Sequence, residues 1–428
     1  MTKLKKYSLT VRRLKIALPT LAALLLALIF AWPEFFTKIE DPIQFIEDQN
    51  QNDTLALMRP SFRLHDNEHQ SMLITADSAR ETAARSKLIE LKHLDAEILL
   101  KESTKIYAKG DRGLLDQSRQ TLAIEGNIQV RTSSGHDIAT EKATIDFRKK
   151  TIDSSTDVKG VSPLGKISAQ GFLILNKGDE ILLRRKSRVE VDGNRNINLG
   201  FGKSDDPLVI TAHNTMAWRR LSRSVKASGS VMAVKGDSVL ESDSATAYYS
   251  YDNQITRLNA NGNVRLTAEH NKALGDSMAY DITGDTLTLT GRPARLVTPK
   301  DTVTANEITY KPSAKQAFTN SRTVLARQGA WEISADRMSL ELIEAMGRTD
   351  VKSAQGEGRV SIKTEHESAT GDSLVFDGGQ NYAILSGNVV LKRDRSSLRG
   401  TRLHIDMNTG ETTLEADTGE QVQGQYEH

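Results

Sequence analysis

The sequence predicts an all-β protein built from a repeated hairpin of about 30 residues, preceded by one membrane-spanning helix. In the best copy, residues 273–296, Leu274, Met278 and Tyr280 occupy alternate positions, and alternation resumes after a turn at Gly284-Asp285. Alternation with a period of two is typical of a strand with one buried face. Because Gly adopts positive φ without steric cost, we expect Gly284 to permit a two-residue turn.

The hairpin recurs along most of the chain when each copy is aligned on the position of Asp276. Successive anchors are 29 to 43 residues apart, and the single step of 43, from Gln170 to His213, separates two blocks. Anchors repeated in this way should form a ladder with a structural role at strand ends, rather than pair as a catalytic acid and base. The eleven anchors are Asp77, Asp111, Glu141, Gln170, His213, Asp243, Asp276, Asn306, Asp336, Asp372 and Thr401.

A second motif, apolar-x-Gly-x-Val/Ile, closes several copies. It occurs at Gly126, Gly262 and Gly387. A glycine inside a strand usually marks a bulge, a bend or a close backbone approach. We therefore expect each of these strands to turn a corner at its glycine.

Composition favours a long array over a conventional core. The chain is 38% hydrophobic but only 5% aromatic, which suits repeats that bury their faces against their neighbours. It has no cysteine, which excludes disulfides, thiolate metal sites and cysteine nucleophiles. Six of the 57 cations lie in residues 1–15, so the remainder has 51 cations against 55 anions, a net charge of −4. This is not the basic footprint of a nucleic-acid-binding protein.

The N-terminus has the pattern of a membrane anchor. An uncharged, mostly apolar run, Ile16–Trp32, follows the basic cluster, and its 17 residues are at the short limit for a membrane-spanning helix. A cleaved signal peptide fits less well, because cleavage after Ala31 would place Ile29 at position −3, where a small residue is preferred. We interpret residues 1–33 as a cytoplasmic basic segment and a retained anchor, with the rest of the chain across the membrane.

The remaining organisation follows from composition and repeats. We expect the end of the first block, around residues 181–191, to pair with the start of the second, around residues 208–212, which gives one continuous groove. If each of eleven repeats adds one strand to each of two walls, the groove is about 50 Å long.

The predicted segments are a tether at 34–60, a first β block at 61–192, a turn-rich boundary at 193–206, a second β block at 207–416 and a disordered tail at 417–428.

No catalytic motif emerges from the sequence. His65 and His69 are four apart, but H-D-N-E-H does not match the zinc-protease order H-E-x-x-H. Gly-x-Ser-x-Gly does not occur in the strand–turn–helix context of a nucleophile elbow. A polysaccharide-active β-helix enzyme would require a carboxylate cluster on one wall, and none can be assigned. The sequence therefore predicts a protein that is not an enzyme and has no metal or cofactor.

The apolar faces of two such walls would face each other. With few aromatic residues to fill the gap, the interior either stays open as an apolar groove for an extended ligand such as an acyl chain, or packs fully without a ligand. The sequence leaves both alternatives open. The candidate groove-lining, lipid-binding residues are Ile74, Ile128, Ile145, Leu208, Ile210, Val264, Leu266, Met278, Tyr280, Leu287, Leu289 and Leu296.

Several of these motifs resemble a known family. The second block is similar to the OstA-like/LptA family of periplasmic lipopolysaccharide transport proteins, in segments that begin at Pro207, Ala227, Asn259 and Leu289. The first block, with its basic start and single anchor, resembles LptC, the inner-membrane member of the same pathway. The matching segments there are Ile74-Thr-Ala-Asp77, Ile124-Glu-Gly126-Asn-Ile128, Ile138-Ala-Thr, Val158-Lys-Gly160-Val161 and Lys166-Ile-Ser-Ala169.

The resemblance implies an elongated antiparallel β-jellyroll, or β-taco, whose interior holds the acyl chains of lipid A. It implies a single-pass inner-membrane protein, with its bulk in the periplasm, that passes lipopolysaccharide from the inner-membrane extractor toward the outer membrane. The implied partners are lipopolysaccharide, an inner-membrane ABC transporter contacted through the anchor and the first jellyroll, and other β-jellyroll Lpt proteins joined edge to edge. Finding both types in one chain departs from the family pattern and leaves open whether a separate LptA is required. The alternative from a different class is a membrane-tethered β-solenoid stalk or adhesin without a lipid ligand.

Overall fold

The strands of this protein form one antiparallel sheet, as the sequence predicted. The sheet has 32 strands, and a single 3-10 helix, Asn176–Gly178, completes the regular structure among the described residues. In that part of the chain no helix is both long and apolar enough to cross a membrane. The predicted anchor, most of the tether, most of the boundary and half of the tail lie outside the described residues. Within the tail, which was expected to be disordered, Gln423–Tyr426 form a strand. The computed structural model describes residues 56–65, 71–82, 87–99, 105–163, 165–191, 206–268, 270–327, 331–345, 348–393, 396–416 and 421–426.

The first fourteen strands precede the predicted boundary; β1 lies in the predicted tether and the other thirteen in the first predicted block. They are β1 (Ala56–Met58), β2 (Ser61–His65), β3 (Ser71–Thr75), β4 (Ser78–Glu81), β5 (Leu88–Leu99), β6 (Lys105–Asp116), β7 (Thr121–Thr132), β8 (Asp137–Asp146), β9 (Thr151–Ser154), β10 (Val158–Ser162), β11 (Gly165–Ala169), β12 (Phe172–Leu175), β13 (Glu180–Arg184) and β14 (Ser187–Val191).

The other eighteen strands follow the predicted boundary. They are β15 (Leu208–Ala212), β16 (Thr215–Arg219), β17 (Ser224–Lys235), β18 (Ser238–Tyr249), β19 (Ile255–Ala268), β20 (Asn271–Asp281), β21 (Thr286–Val297), β22 (Asp301–Lys311), β23 (Gln316–Thr319), β24 (Thr323–Arg327), β25 (Trp331–Ala335), β26 (Arg337–Ala345), β27 (Arg348–Lys363), β28 (Glu367–Asp377), β29 (Tyr382–Arg393), β30 (Ser396–Asp406), β31 (Glu411–Glu415) and β32 (Gln423–Tyr426).

Most long strands contribute to two walls. In β18, the residues before Asp243 and the residues after it pair with separate segments of β17 and β19, and the register shifts between them. This interruption is termed the corner. Elsewhere the corner splits the strand in two; β9 and β10, for example, both pair with β8. A rung is a strand, or such a split pair, that crosses both walls. Nine split pairs among the 32 described strands give 23 rungs.

The two walls face each other across a shared interior. The A wall contains β2, β3, β10, β11, β14, β15, β24, β25 and β32, and the B wall contains β1, β4, β9, β12, β13, β16, β23, β26 and β31; each long strand has one half in each. Trp331 of the A wall contacts Phe376 of the B wall, with ring centroids 4.9 Å apart. The hairpin turns lie along the free edges of the walls, which are termed lips, and the space between the lips is the mouth.

All eleven anchors lie at corners, one on every second rung. The expectation that they mark strand ends is wrong for anchors such as Asp111, Asp243 and Asp372, because those strands continue through the corner. The corner also changes the side-chain phase. Ala273 rather than Leu274 points inward, because the register shifts between Leu274 and Ser277.

The predicted turn after β20 also differs from the observed one. The turn covers four residues, 282–285, and the residue with positive φ is Asp285 (48°), not Gly284. The Asp281 carboxylate accepts a hydrogen bond from the Gly284 N–H (2.9 Å). A Cβ at Gly284 would lie 2.8 Å from the other oxygen of Asp281, so this glycine permits a close approach.

The predicted pairing between the two blocks is confirmed. β14 pairs with β15, from Ser187 opposite Ala212 to Val191 opposite Leu208, and β13 pairs with β16 in the other wall. The predicted length is wrong, because each repeat is a hairpin and adds two strands to each wall rather than one. At about 4.7 Å per strand, 23 rungs extend roughly 100 Å along the sheet.

Candidate functional site

The candidate site is the interior between the two walls. Eleven of the twelve residues identified from the sequence are buried in one hydrophobic core, and Ile210 is partly exposed and packs against that core. The structure therefore places all twelve in or against one continuous core, although they come from both blocks. In the A wall are Ile74, Ile128, Leu208, Ile210, Val264, Leu266 and Leu296, and in the B wall are Ile145, Met278, Tyr280, Leu287 and Leu289.

The set identified from the sequence omits three large interior side chains. Phe62, Phe172 and Phe376 are the largest fully buried side chains, and each is at most 1% exposed. A signal was present for two of them, because Phe172 alternates with Ile174 and Phe376 with Leu374. At these positions the walls shield the interior from water. If an acyl chain lay between the two walls, contacts between apolar side chains of the walls would be replaced by contacts of those side chains with the acyl chain, which are also apolar.

The outer faces of the walls are polar and charged. Ion pairs link neighbouring strands there, for example Lys142 with Glu125 (2.9 Å) and Lys105 with Glu97 (2.8 Å). The hydrogen bond from Lys142 lowers the pKa of Glu125 below its ordinary value. Because these groups are exposed, the pairs contribute little to stability. They keep the outer faces hydrated while the inner faces are apolar.

A histidine is buried at the mouth. His136, at the lip of the A wall, contacts Trp218 of the B wall edge-on, with ring centroids 5.5 Å apart. Burial lowers the pKa of His136 to about 4, and its Nδ1 lies within 3.3 Å of the Thr132 and Ser134 hydroxyls. Trp218 Nε1 donates a hydrogen bond to the Tyr249 hydroxyl (3.1 Å). This neutral contact joins the two lips near the junction of the blocks.

The acidic anchors are spread along the corners of the sheet, one to a corner. At five described corners the carboxylate lies within 3.1 Å of a side-chain donor on the next rung. The pairs are Asp77 with His93 (3.1 Å), Asp111 with Asn127 (2.7 Å), Asp243 with Asn263 (2.9 Å), Asp336 with Arg359 (2.9 Å) and Asp372 with Asn388 (2.7 Å). Within the described ranges, no three His, Asp or Glu side chains are grouped so that they could hold a metal ion. His69 lies outside those ranges.

Both blocks match known families. Residues 20–192 match the family described as lipopolysaccharide-assembly, LptC-related. Residues 210–316 and 313–411 each match the family described as LptA/(LptD N-terminal domain) LPS transport protein. The two resemblances expected from the sequence are therefore confirmed. No curated protein matches the sequence.

Among solved structures, the chain is similar to LptH, described as the LptA homologous periplasmic component of the conserved lipopolysaccharide transport device from Pseudomonas aeruginosa. The alignment covers 30% of this chain and 95% of that chain, at 12% identity, with a TM-score of 0.26.

Proposed function

We propose that this chain, which joins an LptC-related region to a region of the LptA and LptD N-terminal type, carries lipopolysaccharide with the acyl chains of lipid A between its two walls. The observation that supports this most is the junction, where β13 and β14 of the first region pair with β16 and β15 of the second. Because the cores of the two regions form one cluster, a lipid can pass from one to the other without leaving apolar surroundings.

The inner faces of the walls are apolar and the outer faces are charged, and this difference supports the same function. Burying a methylene contributes about 0.8 kcal/mol, so partial enclosure of several acyl chains would hold a lipid firmly. A phosphorylated sugar head would remain in water, because burying an unpaired charge is strongly unfavourable. The lipid would therefore lie with its chains inside and its head at the mouth.

The location and partners follow from the family and from the ends of the sheet. We propose that residues 1–33 anchor the chain in the inner membrane, that the bulk lies in the periplasm, and that the anchor and first region contact the lipopolysaccharide ABC transporter. Among the described residues, β2 pairs only with β3, and β31 only with β30. Such edge strands recruit further strands, which suits edge-to-edge contact with other β-jellyroll Lpt proteins. In this role the protein is not an enzyme and needs no cofactor.

One observation favours the alternative of a tethered stalk or adhesin. Interior residues such as Leu289 and Phe376 are at most 2% exposed, as in a fully packed sandwich. In that case the walls would never separate to admit a lipid. The two functions differ in whether lipid remains with the purified protein.

The test is the amount of lipopolysaccharide that co-purifies with the full-length chain from membranes, measured by mass spectrometry. We expect Ile210→Asp and Leu289→Asp to lower this amount, because a buried unpaired charge opposes an apolar ligand. Thr288→Asp is the matched control on the other face of β21. Circular dichroism and thermal melting check the fold, above all for Leu289→Asp, because Leu289 is 2% exposed. Wild-type protein that retains no lipopolysaccharide would favour the stalk.

A further inference from the structure

The hairpin of β26 and β27 is longer than its neighbours in the B wall. β23 pairs with β26 only as far as Glu341, and β28 pairs with β27 only from Ser353. Residues 342–345 and 348–351 therefore project past the lip, by about 13 Å for four extended residues. These residues are termed the strap. The register shifts between Glu341 and Leu342, where the hairpin leaves the wall.

The strap has an inner and an outer face. Leu342 and Val351 are 4% and 2% exposed and belong to the hydrophobic core, whereas Ile343 is 45% exposed. The inner face therefore covers part of the interior, and the outer face is in water. The strap therefore covers part of the mouth and does not extend freely from the wall.

Three polar contacts fasten the strap to the opposite lip. Asn271 Nδ2 donates a hydrogen bond to Thr349 Oγ1 (3.1 Å), and the Val351 N–H donates one to Asp301 Oδ2 (3.3 Å). Lys300 Nζ lies 3.3 Å from Asp350 Oδ2. The partners on the A wall lie at or next to the starts of β20 and β22. The strap thus spans the mouth from lip to lip.

The fastening is incomplete. Asn271 Oδ1 and Asp350 Oδ1 are buried, and neither has a hydrogen-bond partner among the described residues. A buried acceptor without a donor is unfavourable, and it regains hydrogen bonds when it reaches water. Opening the strap would expose both atoms. This offsets part of the loss of the three contacts and makes release easier than for a fully paired fastening.

We propose that the strap is a gate on the groove. This inference rests on the proposed function, in which the acyl chains lie inside and the large polar head travels along the mouth. A fastened strap blocks the path of the head, while the interior beneath it remains continuous. Release of the contacts at Asn271, Lys300 and Asp301 opens the path toward β28–β32. The gate acts on lipids whose head is too large to pass under the strap.

The experiment uses the absence of cysteine from the chain. In cells that make the full-length Asn271→Cys/Thr349→Cys variant, a disulfide locks the strap. A photoreactive residue in place of Ile128, before the strap, or of Leu385, beyond it, reports lipopolysaccharide adducts. In the oxidised protein we expect the adduct at 128 to persist and the adduct at 385 to be lost, and reduction should restore it. Glu241→Cys/Arg265→Cys, opposed residues of β18 and β19 within one wall, is the matched control and should not affect either adduct.

Other outcomes separate the gate from the function on which it rests. An unchanged adduct at 385 in the locked protein would overturn the gate, and so would failure of the disulfide to form. Absence of both adducts in the reduced protein would overturn lipid carriage itself and the gate with it. Thr349→Val tests the opposite change, because it removes the hydroxyl that fastens the strap and should let the strap open more easily. Its adduct at 385 should form faster than in the wild type, and a slower rate would contradict the gate.

Discussion

The side-chain amide of Asn263 donates a hydrogen bond to the carboxylate of Asp243 across the corner of the sheet, at 2.9 Å. Asn263 has a φ of 48° and follows Gly262, whose φ is 79°. A Cβ on Gly262 would lie 2.2 Å from the Asp243 carboxylate. The glycine, the asparagine and the anchor on the preceding rung therefore form one unit, which recurs with Asp111 and Asp372.

The first prediction concerns the stability of this corner. We expect Gly262→Ala to lower the free energy of unfolding by about 2 kcal/mol more than Gly410→Ala, the typical cost of forcing a group into a filled site. Gly410 is the matched control, because its φ is 75° but a Cβ there would meet no atom within 4 Å. Its substitution should cost only the strain of positive φ, about 1 kcal/mol. Urea denaturation measures both, and equal losses would contradict the close approach at Gly262.

A second prediction follows from the junction. Because β13–β16 and β14–β15 pair along their full lengths, cutting the chain between Val191 and Leu208 should leave the two parts associated. A protease site inserted there and size-exclusion chromatography after cleavage provide the test. Thr211→Pro removes a backbone N–H from β15 and should promote separation of the cut parts. Separate elution of the parts without that substitution would show that the regions are independent.

The third prediction concerns pH. Burial lowers the pKa of His136 to about 4 from an ordinary 6.5, so the folded state disfavours the charged ring. The contribution to stability is full above pH 6.5 and is lost as the pH falls from 6.5 toward 4, because only the unfolded chain takes up the proton. Between pH 7 and pH 5 this amounts to about 2 kcal/mol. We expect the loss of unfolding free energy over that range to be smaller by this amount in His136→Gln. An identical pH dependence in the two proteins would place His136 in water.

The fourth prediction concerns the N-terminus. The six cations before Ile16 and the poor cleavage site after Ala31 indicate a retained anchor. The protein should remain in the membrane fraction after carbonate washing and keep its first residues in N-terminal sequencing. Detection of a mature N-terminus near Trp32 would contradict the anchor.

Local pattern was enough to predict the repeat. The anchors from Asp77 to Thr401 could be aligned from the sequence because a polar or small residue, followed by apolar residues at alternate positions, recurs in each copy of the hairpin. Residues such as Ile128 and Leu289 were assigned to the interior because alternation within half a strand identifies one face. The pairing of the two blocks also followed, because each block ends in an edge strand and exposed edges recruit other strands.

Other features depend on relations between rungs and were not predictable from one segment. Leu274 was assigned to the inner face in error, because the register shift at the corner depends on the neighbouring strand. The sequence of β20 alone does not show it. The estimate of length was wrong because the repeat unit contains two strands per wall. The strap was not identified because the contacts of Thr349 and Val351 are with residues that are 78 and 50 positions away in the sequence.

The central claim is that the interior carries acyl chains, and the most direct measurement is photocrosslinking in cells from single interior positions. A photoreactive residue at 210 or 289 should give a lipopolysaccharide adduct, because both side chains lie in or against the core, whereas one at 288 on the opposite face should not. Ile210 is the more informative site, since it is only partly buried and a larger side chain disturbs it less. An adduct at 288 but not at 210 or 289 would contradict the assignment of the inner face. The absence of an adduct at all three positions would contradict lipid carriage and support a packed sandwich.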